Sequence, residues 1–368
     1  MHQIELPCLF MRAGTSRGPF FNAADLPADR DARHRTLIAA LGASPDGRQL
    51  DGLGGGDSLT SKVAIVGRST DPGVDVEYRF AQVAIDGAFV DDAPSCGNML
   101  SGVAPYAIET GMVAARDGET TVRIRDVNGG AVVEAVVQTP GGMVTYVGDT
   151  TVDGVPGAGA PIRLNYRNVV GSKTGRMFPT GQPVDVIDGV AVTCIDVATP
   201  MMLVRAADFG LSGIETPEEL NARTDVLERI ERLRQAAGWR MGLGDVSSSV
   251  LPKVAILSVP RNGGAVTSRY LTPWRAHAAH AVTGAICVAA ATAAPGTIAA
   301  GVCEAVGPGD VDIEHPAGKL RIRLDCIWAG GELVVRSAGV VRTARLLMRG
   351  AVAVPAAACA SAETKLAA

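Results

Sequence analysis

The segment Asp91-Asp92-Ala93-Pro94-Ser95-Cys96-Gly97-Asn98-Met99 sets one cysteine and a Gly-Asn pair ahead of apolar residues at helical spacing, Leu100, Val103, Ala104, Ala107, Ile108 and Met112. The Gly97 and Asn98 amides are therefore predicted donors at a helix N-terminus, a place that stabilises anions and favours a thiolate. A small buried cysteine would show the same spacing, so a second reactive group is needed before chemistry follows. The stretch Gly52-Leu53-Gly54-Gly55-Gly56-Asp57-Ser58-Leu59-Thr60-Ser61-Lys62 supplies one. It is not a phosphate loop, because Ser61 precedes Lys62 and Val63 follows it, and no G-x-G-x-x-G is complete. It is a glycine-rich turn that delivers Ser58, Thr60, Ser61 and Lys62 onto the apolar strand Val63-Ala64-Ile65-Val66, which makes Lys62 a candidate general base.

Further loops offer groups that bind carboxylates. Arg12-Ala13-Gly14-Thr15-Ser16-Arg17-Gly18 carries cations, two hydroxyls and freed amides, and Ser172-Lys173-Thr174-Gly175-Arg176 is a second basic loop. Glu314-His315-Pro316 would set an imidazole in a turn. His277 and His280 have i,i+3 spacing suited to a metal on a helix, yet no acid or thiol stands at a matching distance, so no metal is expected. No G-x-S-x-G or papain-type cysteine signature is present, which disfavours triad hydrolysis.

These residues need elements to hold them. Helical periodicity is convincing over 28–41, 98–115, 218–237 and 280–294, while period-two patterns such as 121–125 and 319–324, set off by Gly, Asn and Asp, predict many short strands. The fold class is α+β. Val282-Thr283-Gly284 opens the last helix as Cys96-Gly97-Asn98 opens the second, an internal echo that points to two related lobes with helix N-termini at a shared cleft. At 368 residues the chain also exceeds a single core of roughly 100 to 200 residues. A crossing between lobes is expected in the 179–188 stretch.

Composition narrows the function. With 47% hydrophobic, 20% charged and only 4% aromatic residues and a net charge of −4, the core is aliphatic and no nucleic-acid surface is indicated. Seven scattered cysteines without a C-x-x-C pair disfavour disulfides and structural zinc. No signal peptide or membrane span is expected, since 281–294 is too short and is broken by Thr283, Gly284 and Thr292; a cytoplasmic location is expected.

Taken together, Met11-Arg12-Ala13-Gly14-Thr15-Ser16-Arg17-Gly18, Leu59-Thr60-Ser61-Lys62-Val63-Ala64, Cys96-Gly97-Asn98, Glu314-His315-Pro316-Ala317-Gly318 and Arg342-Thr343-Ala344-Arg345 resemble the PrpF-like isomerases across nearly the whole chain. The resemblance implies the diaminopimelate epimerase fold: two pseudo-symmetric lobes, each a mixed, mainly antiparallel sheet wrapped around a central helix. It implies an N-terminal lobe over 1–183, completed by about 340–368, a C-terminal lobe over 184–339, and an active site in the cleft between them. Asp51-Gly52, Thr60-Ser61-Lys62-Val63-Ala64, Thr139-Pro140-Gly141-Gly142 and Arg261-Asn262-Gly263-Gly264-Ala265 bring it nearest to 4-oxalomesaconate tautomerases and Δ-isomerases of aromatic-compound breakdown. Methylaconitate, aconitate and methylitaconate isomerases are the neighbouring alternatives, and a non-catalytic carboxylate-binding protein is the rival from another class. By that resemblance Lys62 and Cys96 are catalytic, with Thr15, Ser16, Arg17, Ser58, Ser61, Gly97, Asn98, Met99, Lys173, Thr283, Gly284 and His315 binding the substrate. Epimerases of this fold place a cysteine at each helix start, whereas Ala281 stands at the second position here, so a single lysine and thiol would shift a proton along a conjugated acid. The resemblance implies no cofactor, a small di- or tricarboxylate partner and a homodimer.

Overall fold

A computed structural model of the chain describes residues 2–87, 89–272, 274–303, 307–329 and 332–360. The chain forms two compact units, one of Met1–Leu164 with Val341–Ala368 and the other of Asn165–Val340, so the 165–183 stretch groups with the second. Residues 361–368, assigned above to the N-terminal lobe, lie outside the described residues.

In the first unit, β1 (Gln3–Ala13) turns through Gly14-Thr15 into the antiparallel β2 (Ser16–Asn22). The turn needs its glycine, since Gly14 has φ +55°. A parallel neighbour demands a crossover, supplied here by α1 (Arg30–Leu41), which leads to β3 (Lys62–Arg68) alongside β2. Asp29 caps the first turn of α1 by accepting from Ala32 N–H at 2.8 Å, and Gly42 ends it in a left-handed conformation. The inner face of α1 adds Leu37, Ala40 and Leu41 to a core with Phe21, Val63, Ile65 and Val83. From β4 (Val76–Val83), antiparallel to β3, and the short β5 (Val90–Asp91), the chain enters α2 (Gly97–Leu100) and α3 (Val103–Glu109). It returns as β6 (Gly118–Asp126), parallel to β4, and β7 (Val132–Thr139), antiparallel to β6.

One helix over 98–115 was predicted, and two short ones stand there. The Ser101 and Gly102 N–H groups bond three residues back, to the Asn98 and Met99 carbonyls at 3.1 and 3.0 Å, in a tightened turn that closes α2, and Pro105 has no N–H to carry the ladder across from the Ser101 carbonyl. Gly102 also lets the turn rest on Phe20, whose Cζ would lie 2.5 Å from any Cβ added there. Past α3 the chain leaves helical geometry at Gly111, φ +72°, ahead of the predicted end.

After the small ladder of β8 (Thr150–Thr151) and β9 (Ala158–Gly159), the division between the units falls within β10 (Ile162–Arg167). The second unit repeats the pairing scheme of the first. Its β11 (Asp185–Ile187), β12 (Val190–Asp196) and β13 (Pro200–Arg205) run antiparallel in turn, and α4 (Pro217–Ala222) and α5 (Thr224–Arg240) cross over to β14 (Lys253–Ser258), parallel to β13. The antiparallel β15 (Val266–Leu271) feeds α6 (Val282–Ala293), which leads to β16 (Gly309–His315), parallel to β15. The antiparallel β17 (Gly318–Ala329) and β18 (Glu332–Arg342) follow. The final strand, β19 (Ala344–Pro355), pairs with β1 in the first unit, setting Val352 opposite Leu6. Each unit is thus an α+β arrangement of a mixed, mainly antiparallel sheet around a central helix, as the resemblance implies.

The helix predicted over 218–237 also divides. Thr216 and Glu219 form a reciprocal capping box at the start of α4, and Arg223 breaks the run with φ −85°, ψ 66° before α5 begins. The stripe Val226, Ile230, Leu233, Ala237 on α5 packs on the second core. Arg234, fully buried, is held by Glu231 and by the carbonyls of Val246 and Leu251. At the centre of this unit α6 is buried along most of its length, and Gly284 lies against Tyr270, 2.4 Å from Cε2 for an added Cβ. Gly102→Ala and Gly284→Ala should therefore each destabilise the fold by about 1–3 kcal/mol through overpacking, read as a lower urea midpoint with an unchanged m-value.

Candidate active site

In the first unit the candidate residues gather around the start of β3, where the polypeptide is packed tightly enough to demand glycine. At Gly18 a Cβ would lie 1.8 Å from the Lys62 carbonyl oxygen and 3.4 Å from Met99 Cε, so β2 and β3 meet there backbone to backbone with the Met99 side chain of α2 beside them. The 47–61 loop is pinned from inside by Gln49, which is buried with φ +54°. Its Nε2 donates to Ser61 Oγ at 2.8 Å, its Oε1 accepts from Gly56 N–H at 2.9 Å, and Gly54 has no room for a Cβ beside it. Ser61 Oγ in turn donates to the Val83 carbonyl at 2.9 Å. That leaves Lys62 half-buried at the first position of β3, its Nζ donating to Gln82 Oε1 at 2.6 Å and lying 5.2 Å from the Phe80 ring centre. Gln82 and Phe80 were not singled out in the sequence; they follow from the register Lys62↔Gln82.

Cys96 occupies the N-cap position of α2, half-exposed and in extended geometry, with its carbonyl accepting from Leu100 N–H at 3.0 Å and Tyr78 OH at 3.1 Å. The amides of Gly97, Asn98 and Met99 precede the first bond of the helix ladder. Asn98 Nδ2 donates to Thr15 Oγ1 at 3.0 Å, and its Oδ1 would lie 2.3 Å from a Cβ on Gly14, which ties the hairpin turn to the helix start. Ser16 Oγ and Arg17 Nε are buried without a hydrogen-bond partner among the described residues, an arrangement that calls for a ligand group or water. The Arg17 guanidinium stacks 5.6 Å from the Phe10 ring centre and passes over Gly55. Ser58 is exposed at the loop tip.

Three sequence expectations change in this unit. Ser61 is fully buried with its hydroxyl spent on Gln49 and Val83, and the Met99 side chain is core, so neither side chain can face a ligand. Arg12, read as a carboxylate-binding cation, is consumed by the Gly14 carbonyl and by the carbonyl and hydroxyl of Thr343. All seven cysteines are free thiols. Burial pushes Cys8 up to about 11 and Cys194 up to about 12, which leaves both inert.

In the second unit two buried carboxylates shape the loops that carry candidates. Asp196 accepts from Ser172 Oγ at 2.6 Å, from Lys173 and Thr174 N–H at 2.8 and 2.9 Å and from Thr174 Oγ1 at 2.9 Å, leaving the Lys173 side chain exposed. Glu314 accepts from the N–H groups of Arg261, Asn262 and Gly264 at 2.8, 2.6 and 2.8 Å and from Thr267 Oγ1 at 2.7 Å. Neither role was read from the sequence. Glu314, His315, Arg261, Asn262, Thr267 and Arg269 line a cavity of about 340 Å³. At the head of α6, Ala281 is the N-cap, as Cys96 is for α2, and the Val282, Thr283 and Gly284 amides precede the first ladder bond, from Ala285 N–H to the Ala281 carbonyl. His277 and His280 lie in the non-helical lead-in to α6, which removes the basis for the i,i+3 pair. His280 is buried between Ser268 Oγ, Tyr270 and the Ala281 carbonyl, and that burial pulls its imidazole down to about 3. Among the described residues no cluster of three or more metal-ligating side chains occurs, and no helix is long and apolar enough to cross a membrane. A larger cavity of about 700 Å³ in the first unit is lined by Cys8, Asn22, Arg68, Tyr106 and Arg349 and includes none of the candidate residues.

Comparison with known proteins gives consistent matches along the chain. The profile of the family described as PrpF protein matches residues 3–355. The (4E)-oxalomesaconate Delta-isomerase of Novosphingobium sp. (strain KA1) is 49% identical over 350 residues, covering 94% of this chain and 96% of that protein. The 4-oxalomesaconate tautomerase of Pseudomonas putida is 45% identical over 357 residues, covering 96% and 97%. A crystal structure of a methylitaconate-delta-isomerase superposes with a TM-score of 0.84 at 35% identity, over 98% of each chain.

The Glu314 cluster has a pH consequence. Burial raises its pKa, but donors from Arg261, Thr267, Gly264 and Asn262 overcome burial, and the carboxyl ends below its ordinary value of 4.5. A lowered folded-state pKa stabilises the fold above the unfolded value, and that contribution is lost as pH falls through the folded one. Glu314→Gln should lower the urea midpoint at pH 7 and reduce the further loss of stability between pH about 5 and 3 relative to the parent. Parallel acid profiles of the two proteins would contradict this.

Proposed function

The chain belongs to the PrpF family and is an isomerase, and on that premise we propose that it moves a proton on an unsaturated keto-tricarboxylate, 4-oxalomesaconate. The observation that carries the reading is the pairing of a lysine held at a strand start with buried, unspent donors on Ser16 and Arg17 of the adjoining strand. One group handles a proton and the others offer hydrogen bonds to a carboxylate. Identity of 49% and 45% to an oxalomesaconate Delta-isomerase and tautomerase supports the choice of substrate.

In the proposed reaction Lys62, as the free amine, takes a proton from the carbon beside the conjugated carbonyl. The pair of electrons left behind spreads into a dienolate, and the proton is returned two carbons away or to oxygen. One proton leaves and one returns, so the step needs no oxidant. Cys96 is the proposed proton donor for that return, and the Gly97 and Asn98 amides would offset negative charge on the intermediate. Thr15, Ser16, Arg17 and Ser58 are the proposed carboxylate-binding groups of the first unit, and Lys173, Thr283, Gly284 and His315 are those of the second. A second reading, a methylitaconate or methylaconitate isomerase on the same residues, is favoured by the TM-score of 0.84 to the methylitaconate enzyme.

Incubation with 4-oxalomesaconate in D2O, followed by ultraviolet absorbance and proton NMR, should show deuterium uptake together with a new enol or shifted-alkene signal. A kcat/KM higher for methylaconitate or methylitaconate would move the assignment to the second reading. Lys62→Met should reduce kcat by ~10²- to 10⁴-fold or more with its melting temperature retained, and near-normal turnover would remove Lys62 as base. Cys96→Ser should reduce kcat by ~10²-fold where the thiol delivers the proton, whereas retained kcat with raised KM would make it a binding group.

A further inference from the structure

Gln82 holds Lys62 from the neighbouring strand and is itself held from two sides. It is the antiparallel partner of Lys62, and its amide oxygen accepts from Lys62 Nζ at 2.6 Å while its Nε2 donates to the Ser61 and Ser58 carbonyls at 2.9 and 3.1 Å. Those two carbonyls decide which way the amide faces. Flipped, it would turn an NH2 toward the lysine and its oxygen toward two carbonyl oxygens, losing all three bonds. Phe80, two residues earlier on the same face of β4, sets its ring 5.2 Å from Nζ. A four-carbon side chain that would otherwise swing is therefore fixed at its tip by an oriented, uncharged acceptor and an aromatic face.

We infer that Gln82 is a positioning residue for proton transfer by Lys62: it fixes Nζ in place and, being neutral, does so without an ion pair that would retain the proton. The inference rests on the reading of Lys62 as the base. A carboxylate at the same point would also accept from Nζ, but its charge would favour the ammonium over the amine. Charged groups on the segments adjoining Lys62 and Gln82 include Arg17 on β2, Arg48, Asp51 and Asp57 in the glycine loop, Arg79 on β4 and Asp91, the partner of Gln82 on β5, and all are retained in the variants below.

The test measures kcat and KM for 4-oxalomesaconate across pH in the full chain, with thermal melting alongside, for the parent, Gln82→Met and Gln82→Glu. Gln82→Met keeps the length and removes both ends of the contact, so kcat should fall ~10- to 100-fold through a mispositioned amine while KM stays within a factor of about 3. Gln82→Glu should move the acidic limb of the kcat/KM profile to higher pH, with activity recovering as pH rises, an effect that a purely structural role would not produce. Parent-like kcat in Gln82→Met, or an unmoved acidic limb in Gln82→Glu, overturns the inference; should Gln82→Met fail to fold, the limb decides alone. Failure of the functional reading looks different. A parent protein inert toward 4-oxalomesaconate, methylaconitate and methylitaconate, or an active Lys62→Met, defeats the assignment of the base and this inference with it.

Discussion

The first unit depends on a backbone contact that leaves no space for a side chain. At Gly18 the main chain of β2 comes so close to the Lys62 carbonyl that a Cβ would stand 1.8 Å from it. That contact fixes β3 against the strand carrying Ser16 and Arg17. Gly14 and Gly102 extend the same constraint, the one against the Asn98 side chain and the other against the Phe20 ring, so that the hairpin, the lysine strand and the cysteine helix are registered on one another at points where a glycine is required. Candidate residues from three separate segments thereby share one rigid support, which catalysis by position requires.

A second theme is how buried polar groups turn loops into fixed features. Gln49 anchors the glycine loop ahead of Lys62, Asp196 gathers the loop around Lys173, and Glu314 gathers the loop at Arg261. Each accepts from backbone N–H groups that the loop leaves unpaired, one for Gln49, two for Asp196 and three for Glu314. A buried carboxylate with four good donors is a stable anchor, and one left without them would be costly. Three irregular segments are therefore organised by one device.

The repeated pairing scheme of the two units also clarifies the single cysteine. Cys96 and Ala281 are the N-caps of the corresponding central helices, and neither makes a side-chain cap bond. Only the first of the two positions has a side chain that can carry a proton, and the reaction proposed above takes its base from Lys62 on β3.

The sequence by itself determined the α+β class, the helices at 30–41 and 282–293 to within two residues, the strand that Lys62 opens, and the paired helix starts at Cys96-Gly97 and Val282-Thr283, because periodicity, capping chemistry and glycine placement are local. It drew one helix over 98–115 because apolar spacing runs on through the tightened turn at Ser101-Gly102, which divides α2 from α3, and through Gly111, where the left-handed backbone ends the run. It offered Ser61, Met99 and Arg12 as ligand groups when tertiary contacts had already used them. Tertiary structure alone decided that Gln82 would meet Lys62, that Asp196 and Glu314 would turn inward, and that Ser16 and Arg17 would keep unspent donors. Those outcomes follow from strand register and from which buried polar atoms find partners across distant segments, and neither leaves a periodic trace in the chain.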